Sequence, residues 1–253
     1  IAEIAAEKAG IIKQNAIVVC SQQAEEAATV VRDACQSRGA TLIMVGSDIG
    51  WRKVSSNLAS QSLEVRGLSD SYSFTMPLLG EHQAQNAAAA VAALEALGLS
   101  MPVIEAGLEQ TRWPGRLQIL KRRPLMVVDG AHTADSAKAL KDALNQYFHF
   151  DRLVLIIGAS ADKDVAGIAG ELAPLAHYVI ATRSRHPRAT DPSVVAGEFA
   201  QRGATVAIME DVAQAVIEAK LRAGRRDLIC ATGSLFLVAE VIELVKGLRP
   251  EVY

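Results

Sequence analysis

Apolar positions recur along this chain in two different rhythms. Up to about Arg112 the rhythm is mixed. Ile17-Val18-Val19-Cys20 and Thr41 to Val45 are short apolar runs that predict strands, with a helix from Ala24 to Ser37 between them. Leu63 and Val65 alternate with Glu64 and Arg66, and Tyr72, Phe74 and Met76 alternate with Ser73 and Thr75. That period of two, on both sides of Gly67-Leu68-Ser69-Asp70, predicts a half-exposed antiparallel hairpin. Helices are expected from about His82 to Leu97, ended by Gly98, and over Val103 to Gln110. At the start, Ile1, Ile4, Ala5 and Lys8 share one helical face, read as the interior one. That helix begins without a capping residue, so further sequence is expected in front of it.

Beyond Trp113 the rhythm becomes regular. Strands at Leu125–Asp129, Leu153–Gly158, Tyr178–Thr182, Val206–Met209 and Leu228–Ala231 alternate with amphipathic helices at about 134–147, 165–175, 192–201, 212–222 and 235–246. Alternation of β and α at this spacing predicts a parallel, doubly wound sheet. The chain thus reads as two α/β units that meet near Trp113-Pro114-Gly115, which suits its 253 residues.

Composition narrows the function. The formal net charge is −2, which leaves no basic field for nucleic acid and no polybasic stripe for a membrane. The longest apolar stretch, Ala87 to Leu94, is far too short to span a bilayer. Cys20, Cys35 and Cys230 are odd in number and lack metal-ligand spacing, so they read as reduced, buried thiols of a cytoplasmic protein.

Candidate chemistry concentrates where strands end. In Trp113-Pro114-Gly115-Arg116-Leu117, Pro114 fixes its own φ and Gly115 permits a turn, so Arg116 follows at a defined place. Asp129 and His132 follow a buried strand, Asp162 and Lys163 a second, and Thr232 and Ser234 a third. Open α/β sheets bind ligands at the carboxyl ends of their strands. Each feature has a plain alternative: an interdomain salt bridge for Arg116, a helix cap for Asp129 or Ser234, a solvated loop for Lys163, and a satisfied loop histidine for His132. Their recurrence on one sheet favours a shared site. An Arg for phosphate with an Asp for a sugar hydroxyl suggests a nucleotide. Asn86, in the first turns of an Ala-rich helix, offers a donor and an acceptor to a base edge, with an ordinary polar helix start as the equal alternative. Lys8 beside Glu7 reads first as an ion pair. Neither a G-x-G-x-x-G nor a G-x-x-x-x-G-K-[ST] loop occurs in the sequence.

Several segments in order carry a resemblance: Glu7-Lys8-Ala9-Gly10-Ile11, Gly80-Glu81-His82-Gln83 with Asn86-Ala87-Ala88, Trp113-Pro114-Gly115-Arg116-Leu117, Asp129-Gly130-Ala131-His132, Asp162-Lys163-Asp164, His186-Pro187-Arg188-Ala189 and Thr232-Gly233-Ser234-Leu235. On these the chain resembles the folylpolyglutamate and dihydrofolate synthases of the Mur ligase superfamily. The resemblance implies part of the central ATP-binding domain over residues 1–113, α/β with an antiparallel hairpin, and a Rossmann-like C-terminal glutamate-ligase domain over 114–253. It implies ATP-dependent ligation of L-glutamate to a folate or pteroate carboxylate through an acyl phosphate, with Mg2+ and a monovalent cation as accessory ions. The expected partners are small molecules only: ATP, L-glutamate and a folate or dihydropteroate, handled by a monomer. Carried over, Lys8 looks like a carbamylated lysine that helps hold magnesium, Asn86 like an adenine contact, Arg116 like a phosphate ligand, Asp129 like a ribose acceptor, and His132 like a residue on the phosphate side. Lys163 and Ser234, with Arg188, would receive the carboxylates of glutamate. The family's phosphate loop would lie upstream of Ile1, so this chain alone is expected to turn nothing over. Two departures stand out: Thr133 where the family has Asn, and Gln14-Asn15 where it often has Pro-Gly. The competing readings are a non-catalytic binding module and another Mur-type ligase acting on cell-wall precursors.

Overall fold

A computed structural model describes residues 1–250. The chain divides into two compact units, Ile1–Arg112 and a second from Trp113 onward.

In the first unit α1 (Ala2–Ala9) leads to β1 (Ile17–Cys20), α2 (Glu25–Ser37) and β2 (Thr41–Met44). β1 and β2 pair in parallel, as a strand–helix–strand crossover requires. A small core of Ala9, Ile12 and Cys35 joins α1 to α2. Arg38 braces the end of α1 and the turn after it by donating to the carbonyls of Ala9 (2.7 Å) and Ile12 (2.6 Å). Because α2 takes the Ala9 stripe, the face expected to be interior points outward: Ile1 is 69% and Ile4 64% exposed. The assignment of Lys8 to a buried face is therefore corrected; Lys8 is exposed as well.

The predicted hairpin is present as β4 (Gln61–Arg66) and β5 (Ser71–Met76), with Leu63 opposite Phe74 and Val65 opposite Tyr72. A third strand, β3 (Gly50–Ser56), pairs with the other edge of β4. It escaped the sequence pattern because an edge strand with polar residues on its open side lacks a clean period of two. Beneath this sheet α3 (Glu81–Ala96) lays Ala84, Ala87, Ala88, Val91 and Ala92 against Leu63, Val65, Tyr72 and Phe74; α4 (Met101–Gln110) adds Ile104. Small alanines let the helix sit close to the strands. One side chain locks the hairpin tip. Glu95 accepts N–H bonds from Leu68, Ser69 and Asp70 and the phenol of Tyr72 (2.8 Å). Burial alone would raise its carboxyl, but these four donors hold it below its ordinary value.

The second unit is one six-stranded sheet in the order β10-β9-β8-β11-β7-β6. These strands are β6 (Gln118–Arg122), β7 (Leu125–Val128), β8 (Leu153–Ile157), β9 (Tyr178–Ala181), β10 (Val206–Ile208) and β11 (Leu228–Thr232). β7 to β11 run parallel, but β6 is antiparallel to β7, so the sheet is mixed and the all-parallel expectation is corrected. β6 adjoins β7 through a short turn, and only one side of it is paired. The helices α5 (Ala134–Tyr147), α6 (Val165–Leu172) and α7 (Pro192–Ala200) contact one another in sequence, whereas α8 (Val212–Arg222) packs with α9 (Leu235–Lys246). Val212, Val216, Leu237, Val238 and Val241 of that pair meet Met126, Val128, Val154 and Ile156. The chain runs outward from β8 to β10, and β11 then returns between β8 and β7. That reversal leaves a crevice at the carboxyl ends of β7, β11 and β8.

Among the described residues no helix is long and apolar enough to cross a membrane. All three cysteines are free; Cys35 and Cys230 are buried, but Cys20 is only partly so.

Candidate active site

The crevice is built by close backbone approach. Asp129 N–H donates to the Ala231 carbonyl, Gly130 N–H to Gly115, Gly233 N–H to Ala131, and the Thr232 hydroxyl to Ala131 as well. Gly233 has φ +98°, and a Cβ there would come within 2.5 Å of the Gly158 carbonyl. Only glycine permits that crossing of β11 and β8.

Asp129 is 7% exposed. Its carboxylate accepts N–H bonds from Leu117 (2.8 Å) and Ala131 (2.9 Å). Leu117 is a non-glycine residue at φ +42°, an uncommon conformation that its surroundings must hold. Asp129 thus fastens the Trp113–Leu117 turn to the start of the next one. Arg116, half-buried, lies over Gly130: a Cβ on that glycine would stand 3.1 Å from its guanidinium. A buried Asp129 with both oxygens engaged is less an open sugar acceptor than the clasp that positions Arg116.

The turn after β7 continues into α5. Thr133 accepts the Ser136 N–H (3.2 Å), and the Ser136 hydroxyl returns to the Thr133 N–H (2.9 Å), a reciprocal cap. Thr133 therefore caps the helix by its own hydroxyl. His132 Nδ1 lies 2.8 Å from the Gly130 carbonyl. A carbonyl only accepts, so Nδ1 carries the proton and Nε2 is the free nitrogen of the neutral ring.

Four strand-end segments then meet. His132, Ser160, Asp162, Lys163, Arg188, Ser234, Leu235 and Phe236 line one cleft of about 150 Å³. Lys163 is 2.8 Å from Asp162, whose carboxyl that ammonium holds below the usual range. Ser234 caps α9 by accepting the Phe236 N–H (3.2 Å), which leaves its hydroxyl proton free to donate. Asp164 caps α6 through Gly167. Lys163, Arg188, two hydroxyls and the N-terminal turn of α9 face the same small space, with the Asp162 carboxylate beside Lys163; the cations and the helix start suit it to anions. Ser160 and Phe236 belong to this lining and were not anticipated as site residues. Phe236 could have been suspected as an aromatic in the first turn after Thr232-Gly233-Ser234.

Two expected residues belong to the first unit. Asn86 is exposed on α3 and its amide donates to Gln83 (3.3 Å). Lys8 pairs with Glu7 at 2.8 Å, with 75% of its side chain exposed. Among the described residues no group of three or more His, Cys, Asp or Glu could hold a metal ion.

Residues 115–235 match the family model described as Mur ligase, glutamate ligase domain. Residues 115–235 thus carry a Mur ligase C-terminal domain. It is 33% identical over 243 residues to a probable bifunctional folylpolyglutamate synthase/dihydropteroate synthase of Halobacterium salinarum, a match that covers 95% of this chain and 30% of that protein. It is 32% identical over 210 residues to the dihydrofolate synthase/folylpolyglutamate synthase of Mycobacterium tuberculosis, covering 78% of this chain and 43% of that one. A solved structure of Mycobacterium tuberculosis folylpolyglutamate synthase complexed with ADP superposes with a TM-score of 0.92 at 30% identity, over 99% of this chain and 60% of that one. This chain thus spans less than two thirds of the length of these relatives. The matched domain holds Arg116, Asp129, His132, Lys163, Arg188 and Ser234.

Proposed function

We propose that this chain forms part of an ATP-dependent ligase that joins L-glutamate to a folate or pteroate carboxylate. One observation carries the reading: His132, Lys163, Arg188 and Ser234, drawn from four separate loops, line one cleft, with Arg116 lying over Gly130 on the neighbouring turn. The likeness to folylpolyglutamate synthases supports it. A carboxylate oxygen of the acceptor attacks the γ-phosphorus of ATP, ADP departs, and the acyl phosphate remains. The glutamate amine then attacks the acyl carbon, phosphate leaves, and the nitrogen loses its proton. Such chemistry depends on positioning and charge neutralisation rather than a covalent enzyme intermediate.

In this reading Arg116, set by Asp129, meets phosphate oxygens as charge builds. His132 presents Nε2 between the phosphate side and the cleft, where it can accept the amine proton. Lys163 and Arg188 hold the two carboxylates of glutamate, and Ser234 donates its hydroxyl to one of them. Asn86 would meet the adenine. Magnesium would accompany ATP in such a ligase. Lys8, exposed and paired with Glu7, does not fit a metal cradle built from this chain's own residues. The reaction uses small soluble substrates and suits a cytoplasmic enzyme.

The test is phosphate release by the protein carrying this chain, with ATP and a panel of acceptors: dihydropteroate, tetrahydrofolate and a muramyl peptide precursor. Release that requires both a pterin acceptor and L-glutamate is expected. Release with the muramyl precursor alone would move the assignment to the cell-wall ligases; ATP binding without release under any condition would favour a binding module.

A further inference from the structure

The loop after β9, residues 182–191, has no regular structure, yet it is fastened at three places. Arg185 reaches α9. Its backbone N–H donates to Glu240 Oε1 at 2.6 Å, and its guanidinium reaches Glu243 Oε2 at 2.6 Å and Glu240 Oε1 at 3.5 Å. One turn along, His186 stacks on Phe236 with ring centroids 3.7 Å apart and planes 17° apart. His186 Nδ1 also accepts the Arg188 N–H at 3.1 Å. On the far side the Arg188 carbonyl accepts the Ala161 N–H, and the Ala159 carbonyl accepts the Thr190 N–H, both at 2.9 Å. The loop is therefore a bracket between the first turn of α9, which carries Ser234 and Phe236, and the 158–163 segment, which carries Lys163.

The anchor of the bracket is unusual chemically. Glu240 and Glu243 are 5% and 8% exposed. They stand three residues apart on α9, so both point to the same side. One guanidinium serves both. Placing two carboxylates in a low-dielectric wall costs desolvation that their pairing does not reliably return. A planar, forked cation can bridge two acceptors in fixed geometry, which a lysine ammonium cannot. Such a pair fixes position more than it adds stability.

We propose that Arg185 is a positioning residue for the incoming amino acid. Through Glu240 and Glu243 it sets the height of the bracket. His186 and its stack on Phe236 pass that setting to Arg188, whose guanidinium lines the cleft. The proposal rests on the reading of that cleft as the glutamate site.

The test is steady-state ligation by Arg185→Gln, Arg185→Lys, Glu243→Gln, Arg188→Gln and the double variant Arg185→Gln/Arg188→Gln, with L-glutamate and ATP varied separately. Arg185→Gln is expected to raise the KM for glutamate about tenfold, with kcat and the KM for ATP nearly unchanged, because a ground-state contact is loosened. Arg185→Lys should recover part of that loss. In the Arg188→Gln background the Arg185 change should add little, since both act on one contact. Should Arg185→Gln fold poorly, Glu243→Gln, which keeps an acceptor, carries the same expectation. A glutamate KM that rises in Arg188→Gln but stays at the wild-type value in Arg185→Gln and Glu243→Gln overturns the positioning role and leaves the glutamate site standing. No change in Arg188→Gln overturns both. Full additivity in the double variant, with equal losses in ATP KM, would mark Arg185 as merely structural.

Discussion

Two lysines of this chain make the same local contact and end in different places. Lys8 and Lys163 each pair with the carboxylate just before it, Glu7 and Asp162, at 2.8 Å. Lys8 stands on α1 with 75% of its side chain in solvent; for Lys163 the figure is 32%. The first faces outward because α2 takes the other stripe of its helix. The second lies where the sheet reverses its strand order and draws Arg188 and Ser234 toward it. An acid–lysine dipeptide says little by itself. Convergence of strand ends turns one such pair into a candidate anion site, while the other remains a surface pair of small energetic weight.

Changes that break the convergent region should be the most costly. Asp129→Ala strips the acceptors from the amides of Leu117 and Ala131, at about 1–3 kcal/mol for each orphaned group. It should also release the turn that carries Arg116. Denaturant unfolding of the second unit would measure the loss, and an unchanged midpoint would show that the clasp is dispensable.

The first unit has one comparable long-range knot, Glu95. Glu95→Gln should cost roughly 1–3 kcal/mol, since charged acceptors make the stronger bonds. The sign with pH follows from its lowered carboxyl. The stabilisation is fully present above the unfolded value of about 4.3 and is lost as pH falls through the lower folded value. The gap between wild type and Glu95→Gln should therefore close in acid. A gap that widens there would contradict the four-donor account.

The lysine pair itself gives the sharpest contrast at the smallest energies. Lys163→Ala should raise the KM for glutamate about tenfold, near 1.4 kcal/mol, with the KM for ATP little changed. Lys8→Ala should alter stability by no more than about 0.5 kcal/mol and leave the glutamate KM alone. Loss of ligation in Lys8→Ala that small carboxylates restore would return Lys8 to the carbamate role and erase the contrast.

The sequence by itself determined the elements whose residues report their own surroundings. Regular alternation of apolar strands and amphipathic helices after Trp113 marked the α/β unit. The period of two around Gly67–Asp70 marked the hairpin, and Thr133 and Ser234 stood where caps belong. It also placed His132, Lys163 and Ser234 after strand ends and Arg116 after a turn, although a family resemblance was needed to give them roles and to single out Arg188. β3 and β6 remained hidden because an edge strand is paired on one side only, and its polar face mimics a loop. The outward turn of Ile1, Ile4 and Lys8 was invisible because a helix's periodicity shows a stripe, not which stripe its neighbour covers. Only the tertiary structure decided that Asp129 would hold Leu117, that Glu95 would gather the hairpin tip, and that Arg185 would find Glu240 and Glu243. These partners lie 12, about 26 and more than 50 residues apart. Local propensity acts over a few residues, whereas such bonds exist only after strand order has brought distant backbone within 3 Å.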